Sequence, residues 1–484
     1  MKRAKPNQET KIDNMPSSLL SYAQAAEQVH RFIEALAESR EIPLDPQLDA
    51  LGSAEASGEW PQKEINARSE RVPLAELAGR VLDTAIRADR DLPPFPRSTR
   101  DGYACRAAEV NTHQFLFVSG AIRAGQEPGS VGAGTLGPGE VWEIMTGAPV
   151  PQGADAVFMV EHAEHSPATS EGFSGAKPDA RQDAKPDFVR LAAPRLLQVG
   201  ENIVPKGAEA CAGEILVSRG VRIGPAQIAL AAQCGYAHLA VRARPRVAIL
   251  STGDELVAVE DQPGPSQIRN SNSPMLAALV AATGGDPIIL PRVPDREAAM
   301  DQAIELAMAE ATGAEPSTDL LLITGGISAG RFDFVEDALT RAGARFFFGG
   351  VAIQPGKPVV FGQLPRRGRR ALPFFALPGN PISSAVTFHL FAAPLLAVLG
   401  GNSGPDPRFA LAHLTGNWRG KPGLTRFLPA WCDFGLHPQV SLVTWQGSGD
   451  LAAFARSNCF VVIPSEVETI ATGSLVQILL SRYS

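Results

Sequence analysis

Asp319-Leu-Leu-Leu-Ile-Thr-Gly-Gly-Ile-Ser-Ala-Gly-Arg-Phe-Asp333 is the stretch on which the reading of this chain turns. Residues 320–323 form an unbroken apolar run, the pattern of a strand buried on both faces of a parallel sheet. The run breaks at Thr324, Gly325 and Gly326, passes Ser328 and Gly330, and from Asp333 takes up a helical period that closes near Gly343. A glycine-rich turn between a buried strand and a helix leaves backbone N–H groups open and lets an anion approach closely. Such a turn can seat a phosphate, and it can equally be an ordinary tight strand-to-helix turn. It is neither the dinucleotide fingerprint nor a P-loop, since the required spacing and the Lys-Ser/Thr pair are absent.

Composition bounds the rest. A chain of 484 residues has room for three or four domains at ~100–200 residues each. With 44% hydrophobic and 20% charged residues it reads as globular, and a net charge of −7 argues against broad nucleic-acid binding. No apolar run of membrane-spanning length and no signal-peptide pattern stand out, so no membrane association is expected. The five cysteines are scattered and form no CxxC pair, which suits reduced thiols and a cytoplasmic location.

Taken in order, residues 1–17 read as a polar tail and 19–36 as an amphipathic helix. Residues 39–70 and 166–187 read as polar excursions, and 115–161 as short strands separated by glycine and proline turns. Asp101, in Leu92-Pro-Pro-Phe-Pro-Arg-Ser-Thr-Arg-Asp-Gly102, reads first as a turn former. Thr146 lies in a second glycine-proline loop that exposes its hydroxyl. Glu161-His-Ala-Glu-His165 reads as a solvated segment rather than a metal site, having no supporting cysteine or third histidine. Arg366-Arg-Gly-Arg-Arg370 reads as a solvated hairpin tip.

From 244 to 400, strand and helix alternate, which predicts an α/β doubly wound sheet with right-handed crossovers. Asn272-Ser-Pro274 predicts a helix start with a capping side chain, and the helix after Pro378-Gly-Asn-Pro-Ile-Ser383 runs on to Leu399. Ligands of such sheets bind beyond the carboxyl ends of the strands. The turns at 251–256, 295, 324–333 and 378–383 all fall there. They offer the acids Asp254, Glu255, Asp295 and Asp333, the hydroxyls of Ser251, Ser328 and Ser383, and the cation Lys357. Acids beside an anion seat suit a hard divalent cation such as Mg²⁺ with substrate phosphate oxygens. No Ser-His-Asp or Cys-His arrangement points to acyl transfer.

Seven motifs then occur together in order: Asp101-Gly-Tyr-Ala104, Met145-Thr-Gly-Ala-Pro149, Gly153-Ala-Asp-Ala156, Ser251-Thr-Gly-Asp-Glu-Leu256, Gly325-Gly-Ile-Ser-Ala-Gly330, Pro355-Gly-Lys-Pro358 and Leu377-Pro-Gly-Asn-Pro381. In these the chain resembles the molybdopterin molybdenumtransferases, the family that includes the C-terminal domain of gephyrin, over roughly residues 18–484. The resemblance implies insertion of molybdate into adenylylated molybdopterin with Mg²⁺, releasing AMP. It implies a homodimer with an intersubunit active site, and as protein partners a client molybdoenzyme or a molybdopterin adenylyltransferase. It also implies a flexible tail over 1–17 and an elongated N-terminal domain built from 18–112 and 196–243. An inserted β-domain over 113–195, a molybdopterin-binding α/β domain over 244–402 and a C-terminal β-domain over 403–484 complete the implied organisation.

Carried over by position, Asp101, Thr146, Glu255, Asp295, Ser328 and Asp333 match catalytic positions, with Asp295 and Asp333 the metal ligands. Ser251, Gly325, Gly326, Gly330, Gly356, Lys357, Pro358, Pro378, Gly379, Asn380, Pro381, Ser383, Arg426 and Ser448 match substrate-binding positions. Four positions depart from the family's pattern: Glu209 and Asn270 where aspartates are expected, and Gly350 and Gln354 where lysines are expected. Two other readings therefore stand beside the transferase. One is a non-catalytic paralogue delivering molybdopterin or the finished cofactor. The other is a molybdopterin adenylyltransferase, against which the long N-terminal segments count.

Overall fold

The protein is described here by a computed structural model covering residues 19–38, 69–126, 135–167, 187–192, 195–309, 318–325, 334–366, 370–402 and 407–481. It divides into two compact units. One comprises Met1–Asp83, Gly220–Gly224 and His238–Ser484; the other comprises Thr84–Arg219 and Pro225–Ala237.

The first unit is organised by a six-stranded sheet. Strands Asp286–Ile289, Arg246–Ser251, Leu320–Thr324 and Leu372–Leu377 run parallel in that spatial order. Val360–Leu364 and Arg345–Gly349 add an antiparallel edge. Successive residues of the parallel strands feed opposite cores, because side chains alternate across a strand. Val247, Ile249, Leu320, Leu322 and Phe375 pack with helix Asn272–Thr283 and the helix from Pro381. Ala248, Leu250, Leu321, Ile323 and Phe374 pack with Glu297–Met308 and Phe334–Arg341 on the other face. The sheet is doubly wound, as its sequence predicts. Helix Tyr22–Glu38 lays Ala25, Val29, Ile33 and Leu36 into the first of these cores.

The helix Pro381–Leu399 is long and apolar enough to cross a membrane, yet it is wholly buried, so it serves as a core helix. No span of that kind stood out in the sequence. It is also not uniform: Pro381–Thr387 and Ala393–Leu399 are α-helical, and Phe388–Ala392 between them is a π segment. Phe388 and Phe391 from that widened turn are fully buried. Each is worth roughly 1.5–3 kcal/mol of burial.

In the same unit, Thr425–Asp433, Gln439–Leu442, Phe409–Leu414, Leu475–Leu480 and Cys459–Ile463 pair in sequence around a ring. The ring closes where Thr425–Asp433 pairs with Cys459–Ile463. Ile353–Gln354 adds in parallel to the start of Thr425–Asp433. Between the glycine loop at 356–357 and the edge strands, the chain thus holds a strand that includes Gln354 itself.

The second unit carries another six-stranded sheet, in the order Ala156–Met159, Gly102–Cys105, Glu140–Ile144, Leu116–Ile122, Asp187–Leu191, Ala163–Pro167. Its core is built on Tyr103, Val141, Phe158 and Val189 on one side and Ile122, Trp142 and Ile144 on the other.

Three local expectations need correction. The amide of Asn272 does not cap its helix; the preceding Asn270 side chain accepts from Ser273 N at 3.2 Å instead. Arg366 is not merely solvated, because its guanidinium donates to the carbonyls of Thr318 and Ala307. Pro73 at a first-turn position and Gly79 after it predict a short helix over 73–78, and the chain makes only a single 3₁₀ turn there, Leu74–Glu76.

Candidate functional site

Ser251, Thr324 and Leu377 stand side by side in parallel register at the carboxyl ends of their strands. This brings the loops that follow them to one edge of the sheet. Thr252 donates its hydroxyl to Asp295 Oδ1, and Asp295 N donates to Asp254 Oδ1 at 3.2 Å. The Asp295 carboxylate is thereby fixed at the sheet edge, while Asp254 and Glu255 are exposed beside it. Thr252 drew no attention in the sequence, although it lies inside the quoted motif; a hydroxyl beside an acid in a tight turn was the available signal.

Gly325 begins the next loop with φ +99°, and a Cβ there would collide with the carbonyl oxygen of Thr252. Only glycine allows these two loops to touch. On its other side, a Cβ on Gly379 would lie 3.5 Å from Gly325 Cα. Asn272 Nδ2 ties the same loops together, donating to Thr324 Oγ1 at 2.9 Å and to Gly379 O at 2.7 Å. Asn270 Nδ2 donates to the hydroxyls of Ser251 and Ser273, at 2.8 and 3.0 Å. The amide at 270, where the resemblance leads one to expect an aspartate, is thus bound into the helix start through two donated hydrogen bonds.

The closed ring reaches the same edge. Ser448 accepts from Asn380 Nδ2 at 2.8 Å, and its carbonyl accepts from Ile382 N at 3.0 Å. Gln354 is paired in register with Arg426, three residues before the exposed Lys357. The Arg426 guanidinium lies 5.9 Å from the centroid of the Trp418 ring, within cation–π reach. Ser383 is buried at the start of the core helix, next to Pro381 and behind the buried Pro378. Gly350 has φ +119°, a conformation that explains why no lysine stands there.

In the second unit, Thr146 donates both its backbone N–H and its hydroxyl to Asp101 Oδ1, at 2.6 and 2.8 Å. These bonds, the amide first, hold the Asp101 carboxyl below the usual carboxylate range. Two residues far apart in sequence that were singled out separately thus form one exposed pair. Glu209, the other departure, accepts from Arg97 Nη2 at 2.6 Å.

Gly326, Ser328, Gly330 and Asp333 lie outside the described residues. Among the described residues no group of three His, Cys, Asp or Glu side chains converges as a metal site. In the Glu161–His165 segment, Glu164 pairs with Arg190 and His162 contacts Arg195, in keeping with the solvated reading. The five cysteines are free thiols, and burial pushes Cys459 up to about 12.

Comparison with known proteins bears on this edge directly. Residues 20–235 match the profile described as the MoeA N-terminal region (domain I and II), and 248–398 match a probable molybdopterin binding domain. Residues 412–481 match the MoeA C-terminal region (domain IV). The molybdopterin molybdenumtransferase of Bacillus subtilis is 31% identical, over 91% of this chain and 94% of its own length. Molybdopterin molybdenumtransferase 2 of Mycobacterium tuberculosis is 33% identical, over 84% of this chain and 94% of its own. The crystal structure of a molybdopterin biosynthesis moeA protein from Pyrococcus horikoshii superposes with a TM-score of 0.69 at 25% identity, covering 96% of this chain and all of that one.

Proposed function

The chain belongs to the molybdopterin molybdenumtransferases, and from that premise we propose that it inserts molybdate into adenylylated molybdopterin, releasing AMP. The observation that supports this reading is the meeting at one sheet edge of the Thr252–Asp295 pair, the Gly325 turn and the 378–380 loop, to which the Asn380–Ser448 bond ties the ring. An acid held beside a glycine turn suits a phosphate-bearing ligand with its metal ion, and Lys357 and Arg426 are the cations that an oxyanion would need.

In this reading, Lys357, Pro358, Ser383, Arg426 and Ser448 hold molybdate, with Gly356 and the 378–381 loop shaping the seat. Ser251 and the glycines 325, 326 and 330 seat the molybdopterin phosphate. Asp295 is already oriented by Thr252, and its oxygens are the hard donors that Mg²⁺ prefers, so Asp295 fits that ion; Asp333 is proposed beside it from the resemblance alone. Bound there, Mg²⁺ would supply neutralisation of phosphate charge. Glu255, exposed beside Asp295, and Ser328, assigned by the resemblance, are the groups able to exchange a proton or orient the attacking oxygen.

The active unit is a homodimer in this proposal, Asp101 and Thr146 of one subunit serving the doubly wound domain of the partner subunit. The elongated N-terminal domain, the inserted β-domain, the α/β domain and the C-terminal β-domain are proposed with the boundaries given above, and the location is proposed to be cytoplasmic. A second reading, delivery of the finished cofactor to a client molybdoenzyme without turnover, is favoured by Gly350, whose backbone cannot take the expected lysine unless it is strained. The deciding experiment incubates the purified protein with adenylylated molybdopterin, molybdate and Mg²⁺ and follows AMP. Molybdate-dependent release supports the transferase; binding of molybdopterin without release supports delivery.

A further inference from the structure

Asn272 is the first residue of helix Asn272–Thr283, and its side chain turns away from that helix. The amide orientation is fixed by chemistry: the Gly379 carbonyl can only accept, so Nδ2 must face it. The same nitrogen donates to Thr324 Oγ1, which leaves Oδ1 pointing elsewhere. Oδ1 is buried and, among the described residues, meets no hydrogen-bond donor. A buried acceptor without a partner costs stability, so this amide is not placed for stability alone.

What the amide does is join three loops. Thr324 leads directly into Gly325, which is pressed against the Thr252 carbonyl, and the Gly379 backbone stands against Gly325 from the opposite side. Asn272 bridges Thr324 and Gly379 across that gap. We infer that Asn272 is a positioning residue: its two donated bonds set the spacing between the Gly325 turn and the 378–380 loop, and so preform the seat for a phosphate-bearing ligand. This inference rests on the reading of this edge as the molybdopterin site. Preformed donors bind without reorganisation, so loosening them weakens binding before it affects any chemical step.

The test compares wild type with Asn272→Asp, which keeps the shape but cannot donate, and Asn272→Ala. Without any ligand, hydrogen exchange read by mass spectrometry should quicken about tenfold in fragments holding 325 and 379–382, the size of one lost hydrogen bond, and stay unchanged in the closed ring. The dissociation constant for purified molybdopterin, and the KM for adenylylated molybdopterin, should rise by a similar factor while kcat changes little. Unchanged exchange in both variants overturns the bridge. Faster exchange with unchanged affinity and KM overturns its role in positioning. Failure of the wild-type protein itself to bind molybdopterin overturns the site reading and, with it, the ligand role of Asn272, and that outcome is visible before any variant is made.

Discussion

Gln354 and Arg426 are register partners across two parallel strands, so their side chains leave the sheet on the same side. Replacing Gln354 by Lys puts a second cation next to Arg426 and three residues from Lys357. For a dianion about 4–6 Å away the gain is on the order of 1 kcal/mol at this exposure, or several-fold in affinity, reduced somewhat by repulsion from Arg426. Calorimetric titration of molybdate into both proteins should show the tighter binding, fading as salt rises. An equal or weaker affinity would mean that this strand end does not face the oxyanion.

Gly350→Lys should behave in the opposite way, although the resemblance suggests the same residue there. At φ +119° a side chain is strained, and its Cβ would press on Leu19. The expected loss is roughly 1–3 kcal/mol of stability, measurable as a lower urea midpoint with an unchanged slope. A variant as stable as wild type would show that the loop relaxes freely.

Asp101→Ala should lower AMP release, and mixing it with Asp333→Asn subunits should restore part of it if the site is shared between subunits. No recovery in verified heterodimers would place each site within one chain. The Asp101 carboxyl is held below its ordinary range by Thr146, so the stability from this pair is present above the unfolded carboxylate value. It is lost only as pH falls through the lower folded value. Carbon-13 titration of Asp101 should therefore lie below that of Asp101 in a Thr146→Ala variant.

Asn380→Ala and Ser448→Ala each break the same side-chain bond between the 378–383 loop and the ring. Each should cost ~0.5–1.5 kcal/mol, and the double variant less than the sum, because the two residues share a single interaction. Additive losses in a double-mutant cycle by chemical denaturation would mean that the 2.8 Å contact carries no coupling.

Much of this was legible before any coordinates. The runs 246–250 and 320–323 announced strands buried on both faces, and the alternation of Val247 and Ala248 toward opposite cores follows from that. The strand–helix alternation put Asp295 at the sheet edge, and the motifs marked Lys357 and the 378–381 loop. Pairings were harder. Nothing local ties Asp101 to Thr146 or Asn380 to Ser448, since each contact joins loops 45 or 68 residues apart. The Asn272 amide read as a helix cap because Asn is a good capping residue; tertiary partners with stronger claims, Thr324 and Gly379, outcompete that local preference. The residues of the π segment at 388–392 suit an α-helix equally well; its signal lies just beyond them in Pro394, which has no N–H to give to the Leu390 carbonyl.

The buried helix Pro381–Leu399 has a consequence for how the protein is made. Phe427, Phe460, Val462 and Leu479, which share its core, all come from the ring that follows it in the chain. During synthesis the most apolar segment of the molecule therefore leaves the ribosome tens of residues before the strands that cover it. For that interval it offers chaperones, and any membrane-insertion machinery, a segment that passes their tests of length and hydropathy. A chain ended at residue 402 should accordingly aggregate or bind membrane vesicles when made in a cell-free system, whereas the full chain should do neither.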